Sequence, residues 1–300
     1  MNISIKPWHL IERAAARLRE SPAAPPGASA LGDPVVDDIG LGATPEHEIP
    51  IADTTLPRAD PMMMTVEQEV LRSAGLIDFD AQRTRLSEEF KIAQSQLIRA
   101  KAGNKNANNP SNNLVLITSA RPNEGKSFVS INLAASLAHF SNQKILLVDA
   151  DEKSNSLTDC LGLSDYPGLF QIARNANLSI EGVRISLGVP GLFFISKGQN
   201  ENLIGPKNLA QQLERLARCF PDYIILVDAA PCLASSDATI FASSVGQIVL
   251  VVEAEKTQRD EIEACLELLE ECKSIMLLLN KASLTGNSTF GAYGYGSRTS

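Results

Sequence analysis

"ITSARPNEGKSFVSINLA", Ile117–Ala134, decides how the rest of the chain is read. The apolar run NLVLITS at 113–119 leads into it, and a helical pattern over 126–140 follows. Between them, Ala120–Ser127 reads A-R-P-N-E-G-K-S where a phosphate-binding loop reads G-x-x-x-x-G-K-[ST]. Strand, loop and helix is the order such a loop needs, because backbone N–H groups of the loop and the first helical turn then face the phosphates. In that reading Lys126 reaches the outer phosphates and the Ser127 hydroxyl holds Mg²⁺. Arg121, Pro122, Asn123, Glu124, Gly125 and Phe128 complete the nucleotide-binding stretch. The opening glycine is missing, which matters little if Ala120 sits in a conformation open to an L-residue. Gly125, where the backbone passes close to phosphate, is kept. A chance GKS in a surface turn would not be framed by a buried strand and a helix.

Two other strand-like runs end in carboxylates. KILLVDA (144–150) is followed by Asp151 and YIILVDA (223–229) by Pro231, so Asp149, Asp151 and Asp228 stand at strand ends. In a parallel sheet these ends gather on one edge, where ligands bind. Asp149 and Asp228 are therefore expected to flank a metal and the terminal phosphate. One carboxylate would hold Mg²⁺, and another would accept a proton from the attacking oxygen. A single aspartate there reads as a turn former; two beside a lysine loop do not. Asn280 ends SIMLLLN (274–280) and carries two readings, a turn residue or a carboxamide that pairs with adenine. His9, His47 and His139 are scattered and form no metal site or triad.

Around this centre, short apolar runs (also LFFIS at 192–196 and QIVLVVE at 247–253) alternate with helical stretches near 206–219, 236–245 and 257–272. Runs so apolar and short suit strands buried on both faces. The fold class is α/β, a parallel sheet with helices on both faces. A long helix is expected over 81–101, with Leu86, Phe90, Ala93, Leu97 and Ala100 as its apolar stripe. Upstream, 21–61 holds eight of the 16 prolines and reads as a disordered linker, ahead of one domain at 62–281. Residues 1–20 form an amphipathic segment that packs on its own domain or docks elsewhere, the first favoured by its shortness and modest charge. Residues 282–300 are a glycine-rich tail carrying Tyr293 and Tyr295, two of the chain's four tyrosines. A net charge of −8 argues against broad nucleic-acid binding. Five cysteines without a CxxC pair read as reduced core thiols. Neither a spanning helix nor a secretion signal is expected, which points to the cytoplasm.

With these residues in view, the chain resembles the bacterial tyrosine autokinases of polysaccharide synthesis and export, and within them the cytoplasmic type of exosortase-associated systems. The family's S-x-x-P-G-E-G-K-[ST] appears as SARPNEGKS, with Asn123 for glycine. Its DxDxR strand end appears as LLVDADEK, with Lys153 for arginine, and its D-x-x-P strand end as ILVDAAP. The stretch 236–262 and the opening LIERAAARL are also similar. The resemblance implies a P-loop NTPase fold that binds ATP and Mg²⁺ through Lys126 and Ser127. Asp149, Asp151 and Asp228 would organise metal and tyrosine, and phosphate would pass to tail tyrosines, here Tyr293 and Tyr295. It also implies self-association as a dimer or ring, and an activating membrane protein of polysaccharide chain-length control or export that brings the chain to the inner membrane. A counteracting tyrosine phosphatase would complete the set. The family's subunit-packing helix motif E-x-x-R-x-x-R is altered to Glu88, Lys91 and Gln94. Two other readings compete. One is a positioning or partition-type ATPase switch, which usually carries a lysine where Arg121 stands. The other is a regulator that binds nucleotide with little kinase activity.

Overall fold

The computed structural model describes residues 65–79, 84–103, 110–141, 143–152, 155–175, 178–199 and 204–282. The N-terminal segment, the proline-rich linker, Lys153 and the tail with Tyr293 and Tyr295 lie outside the described residues.

Seven strands form one sheet: β1 (Leu114–Ser119), β2 (Lys144–Asp149), β3 (Ile185–Ser186), β4 (Leu192–Ile195), β5 (Tyr223–Asp228), β6 (Gln247–Glu253) and β7 (Ile275–Asn280). Their spatial order is β3-β4-β2-β5-β1-β6-β7. All neighbours are parallel except β3, which pairs antiparallel with β4. That two-residue strand was not expected, being too short to show a period. The chain leaves β1 for β2 on one side and crosses back to β6 on the other, so β1 stands at a topological switch.

The strands are apolar throughout because both faces are covered. Leu114, Leu116, Ile225, Val227, Ile248 and Leu250 face one core, against α6 (Pro206–Cys219), α7 (Asp237–Ala242) and α8 (Arg259–Leu268). Val115, Ile117, Ile224, Leu226, Val249 and Val251 face the other, against α1 (Gln68–Ser73), α2 (Arg85–Gly103) and α3 (Lys126–Ser141). The short helices α4 (Leu157–Cys160) and α5 (Leu169–Arg174) lie between β2 and β3 in the chain.

α3 is buried from Val129 to Ala138, between the sheet and α2, so it carries no polar stripe. The α2 face turned to it differs from the expected stripe. Leu86 is exposed, while Ser87, Phe90, Gln94 and Leu97 are buried. Gln94 Oε1 accepts a 2.8 Å hydrogen bond from Ser136, which satisfies a buried amide with a buried hydroxyl. Lys91 bonds Glu88 at 2.8 Å and lies over the Phe140 ring. The expected helices at 236–245 and 257–272 are shorter, Asp237–Ala242 and Arg259–Leu268. Of the five thiols only Cys232, Cys265 and Cys272 are buried; Cys160 and Cys219 are exposed, which corrects the reading of all five as core residues.

Candidate functional site

The register across the sheet brings the predicted groups to one edge. Asp149 lies opposite Asp228 across β2 and β5, and Ile117 opposite Asp228 across β1 and β5. The loop at 120–126 leaves β1 beside them.

That loop is built without most of its usual glycines. Asn123 takes φ 66° and Gly125 φ 91°, both left-handed. Asparagine is the non-glycine residue that best tolerates this region. Gly125 has a further constraint: a Cβ there would lie 2.2 Å from the Asn280 amide nitrogen. Glu124, buried at 2% exposure, ties the loop from inside. Its carboxylate accepts the Arg121 N–H at 2.9 Å and the hydroxyl of Thr257. The Arg121 side chain turns outward and pairs with Glu261 on α8. Phe128 turns away: its ring packs on Gly75 and lies 6.0 Å from that of Phe90, so only its backbone faces the loop.

The Lys126 ammonium, which opens α3, bonds Asp151 at 2.5 Å. Burial works against its charge, but Asp228, Asp151 and Asp149 together outweigh burial and hold its pKa above the usual lysine value. Asp149 is fully buried, and its two oxygens are taken by backbone N–H groups, of Asp151 at 3.1 Å and Thr158 at 2.8 Å. Burial still outweighs those bonds and raises its pKa. These bonds fix it at the start of the segment after β2, opposite Asp228. Thr158 carries the brace onward. Its hydroxyl accepts the Lys197 N–H at 2.8 Å, and the Lys197 ammonium pairs with Asp159 at 2.8 Å.

Asp228 is the exception in this network. Ser130, one turn into α3, donates to its Oδ1 at 3.0 Å, while Oδ2 is buried with no hydrogen bond from the described residues. Burial first, and then Asp149, push its pKa up to about 7, against the pull of Lys126 and the nearby Ser127 and Ser130 hydroxyls. An unsatisfied buried carboxylate oxygen is costly unless something answers it. With the Ser127 hydroxyl beside it, the donor set is hard oxygen, which suits Mg²⁺.

Asn280 reaches the loop from the end of β7. Its amide donates to the Glu124 carbonyl at 2.8 Å, inside the loop. The structure therefore gathers Lys126, Asp151, Asp228, Ser127 and the loop at one edge, with Asp149 and Asn280 bonded beside them and the Phe128 ring packed toward Gly75. Ser130, Thr257 and Glu261 were missed. Ser130 alone left a trace, being four residues after Lys126 and so on the same helix face.

A glycine-poor phosphate loop at the carboxyl edge of a switched parallel sheet, with a lysine and strand-end carboxylates, defines a P-loop fold of the nucleotide-binding class. No family model matches the chain. The tyrosine-protein kinase YwqD of Bacillus subtilis is 31% identical over 189 residues, which cover 60% of this chain and 77% of YwqD. On that likeness the chain belongs to the bacterial tyrosine-protein kinase family. The EpsB protein of Ralstonia solanacearum is 36% identical over 192 residues, 62% of this chain but 25% of its own. The chain thus spans only about a quarter of some curated relatives it matches. Among solved structures, the kinase domain of Escherichia coli ETK shares the fold with a TM-score of 0.58 at 24% identity, over 79% of this chain and 93% of that one.

Proposed function

We propose that this chain is an ATP-dependent protein-tyrosine autokinase that passes the γ-phosphate of ATP to tyrosines of its own tail, Tyr293 and Tyr295, and thereby regulates exopolysaccharide synthesis or export. The observation that carries this reading is the convergence of Lys126 and Ser127 with Asp228, whose Oδ2 is buried without a partner among the described residues. The loop N–H groups and Lys126 would bind the phosphates, Lys126 exchanging its bond with Asp151 for one with the nucleotide. Ser127 and Asp228 would hold Mg²⁺, which when bound neutralises charge on the transferring phosphoryl group. A pKa near 7 lets Asp228 give up its proton readily when a cation arrives. Asp151, released from Lys126, is the carboxylate at hand to orient a tyrosine hydroxyl.

The acceptors follow from what the other tyrosines do. The Tyr223 hydroxyl accepts a 2.7 Å bond from Arg184, whose guanidinium also lies over the Phe193 ring, so Tyr223 is built into the fold. Tyr166 is exposed in a short turn. The tail pair stands among glycines, Gly291, Gly294 and Gly296. A kinase domain over 62–281, a linker over 21–61, self-association and a membrane partner of polysaccharide chain-length or export type belong to the same proposal. So does placement in the cytoplasm at the inner membrane. No helix of the described residues is long and apolar enough to cross a membrane.

The test is incubation of the full chain with Mg-ATP, with and without such a partner, followed by mass spectrometric mapping. Phosphate on Tyr293 or Tyr295 that vanishes in Lys126→Ala is the expected result. Phosphate confined to Tyr166 would refute the acceptor assignment, and none on any tyrosine under either condition would refute the kinase.

A further inference from the structure

We infer that Asn280 and Lys281, at the end of β7, are positioning residues for the phosphate loop, acting on its carbonyls in place of the glycines it lacks. The inference rests on the reading of this loop as the nucleotide site.

A phosphate loop works when successive N–H groups point inward, which turns the intervening carbonyls outward. Outward carbonyls are then open to donors from outside the loop. Two of them find donors from one dipeptide. The Asn280 amide donates to the Glu124 carbonyl at 2.8 Å, and the Lys281 ammonium donates to the Asn123 carbonyl at 2.5 Å. Lys281 itself takes φ 57°, a left-handed turn that aims its side chain back over the loop.

The clamp is anchored at both ends. The Lys281 ammonium also pairs with Glu253 at 3.3 Å, at the end of the adjacent strand β6. The Glu253 N–H donates to the Thr257 hydroxyl at 3.1 Å, and that hydroxyl donates to Glu124. A closed ring of contacts thus runs from β6 and β7 to both sides of the loop. It meets the loop at its two left-handed residues. Asn123 holds φ 66° without being glycine, and Gly125 leaves no room for a Cβ beside the Asn280 amide. A loop with glycine at 123 would reach this shape at little cost; with asparagine, the charged hydrogen bond from Lys281 holds the conformation instead.

The claim separates positioning from mere stability through a rescue. Mg-ADP affinity of the full chain is measured by calorimetry for wild type, Lys281→Ala, Lys281→Arg, Asn280→Ala, Asn123→Gly and the double variant Asn123→Gly/Lys281→Ala. Melting temperature is followed without nucleotide. Loss of one charge-assisted bond predicts that Lys281→Ala binds about tenfold more weakly. Lys281→Arg stays within about threefold, because it keeps a cationic donor. Asn123→Gly shrinks the Lys281→Ala penalty to below about threefold, since glycine no longer needs the clamp. Asn280→Ala weakens binding by a similar factor and supplies a second, independent test. Unchanged affinity in both alanine variants, or an equal Lys281→Ala penalty with Asn123 or glycine, would overturn the inference. Wild type that binds no Mg-ADP would sink the nucleotide reading and this inference together. Binding by wild type with unaffected variants would sink this inference alone.

Discussion

Asp228→Asn should make the nucleotide-free protein relatively more stable as pH rises, although it removes a residue assigned to the site. The carboxyl is fully buried and its pKa is pushed from 3.8 to about 7. Because the folded value lies above the unfolded one, the folded chain holds an extra proton between those limits. Its contribution is fully present below about pH 3.8 and is lost as pH rises through 7. Each unit in that window costs about 1.4 kcal/mol. Allowing for half-titration near 7, wild type loses about 2.5 kcal/mol from this one group between pH 5 and pH 8. The substituted carboxamide does not titrate, so the stability difference, variant minus wild type, should grow by that amount over the same range. For a domain of this size that is a relative shift of about 5–10 °C in melting temperature. Lys126 and Asp149 are common to both proteins, so the difference reports Asp228 together with its coupling to those two groups. The assay is thermal or urea unfolding of both chains in EDTA, without nucleotide, across that pH range. Parallel curves would refute the reasoning, since they would mean that Asp228 is already ionised and solvated in the folded chain. Mg-ADP should then stabilise wild type at pH 8 and leave the variant nearly unchanged.

Other perturbations have equally definite outcomes. Gly125→Ala forces an L-residue to φ 91° and drives a Cβ onto the Asn280 amide, so it should cost about 1–3 kcal/mol in urea unfolding and abolish Mg-ADP binding in calorimetry. Lys126→Ala removes the cation among Asp151, Asp228 and Asp149; phosphotyrosine should vanish. Without that cation Asp228 keeps its proton to higher pH, so the stability lost between pH 5 and pH 8 should increase, read from melting curves. Ser130→Ala takes a hydrogen bond from Asp228 Oδ1 and should cost about 1 kcal/mol, with the pH profile of phosphoryl transfer displaced to the alkaline side. Glu261→Gln breaks an ion pair whose arginine is largely exposed, and should change unfolding free energy by less than about 1 kcal/mol.

The sheet was legible because every strand but β3 is a short apolar run, and each such run before β7 is followed by a helix. β3 was invisible because two residues carry no period. The α2 stripe was misread because Gln94 pairs with Ser136 on another helix, and a buried hydrogen-bonded amide is indistinguishable in sequence from an exposed one. Lys126, Asp151 and Asp228 could be named beforehand, since a loop and strand ends fix where they stand. Their division of labour could not. Asp149 and Asp228 look alike in sequence, yet each oxygen of the first accepts a backbone N–H while the second keeps an oxygen unanswered by the described residues. Asn280 carried two readings in sequence, a turn residue or an adenine contact, because a carboxamide is versatile. Its actual partner, the Glu124 carbonyl, lies 156 residues earlier, beyond what local pattern reveals.

The most direct measurement follows the fate of the γ-phosphate. The full chain is supplied with γ-labelled ATP and Mg²⁺, together with a membrane activator, and label on tyrosine is counted against label released as free phosphate. The account predicts tyrosine-bound label that disappears with Lys126→Ala and with EDTA. Free phosphate accumulating in wild type with no label on any tyrosine would contradict it.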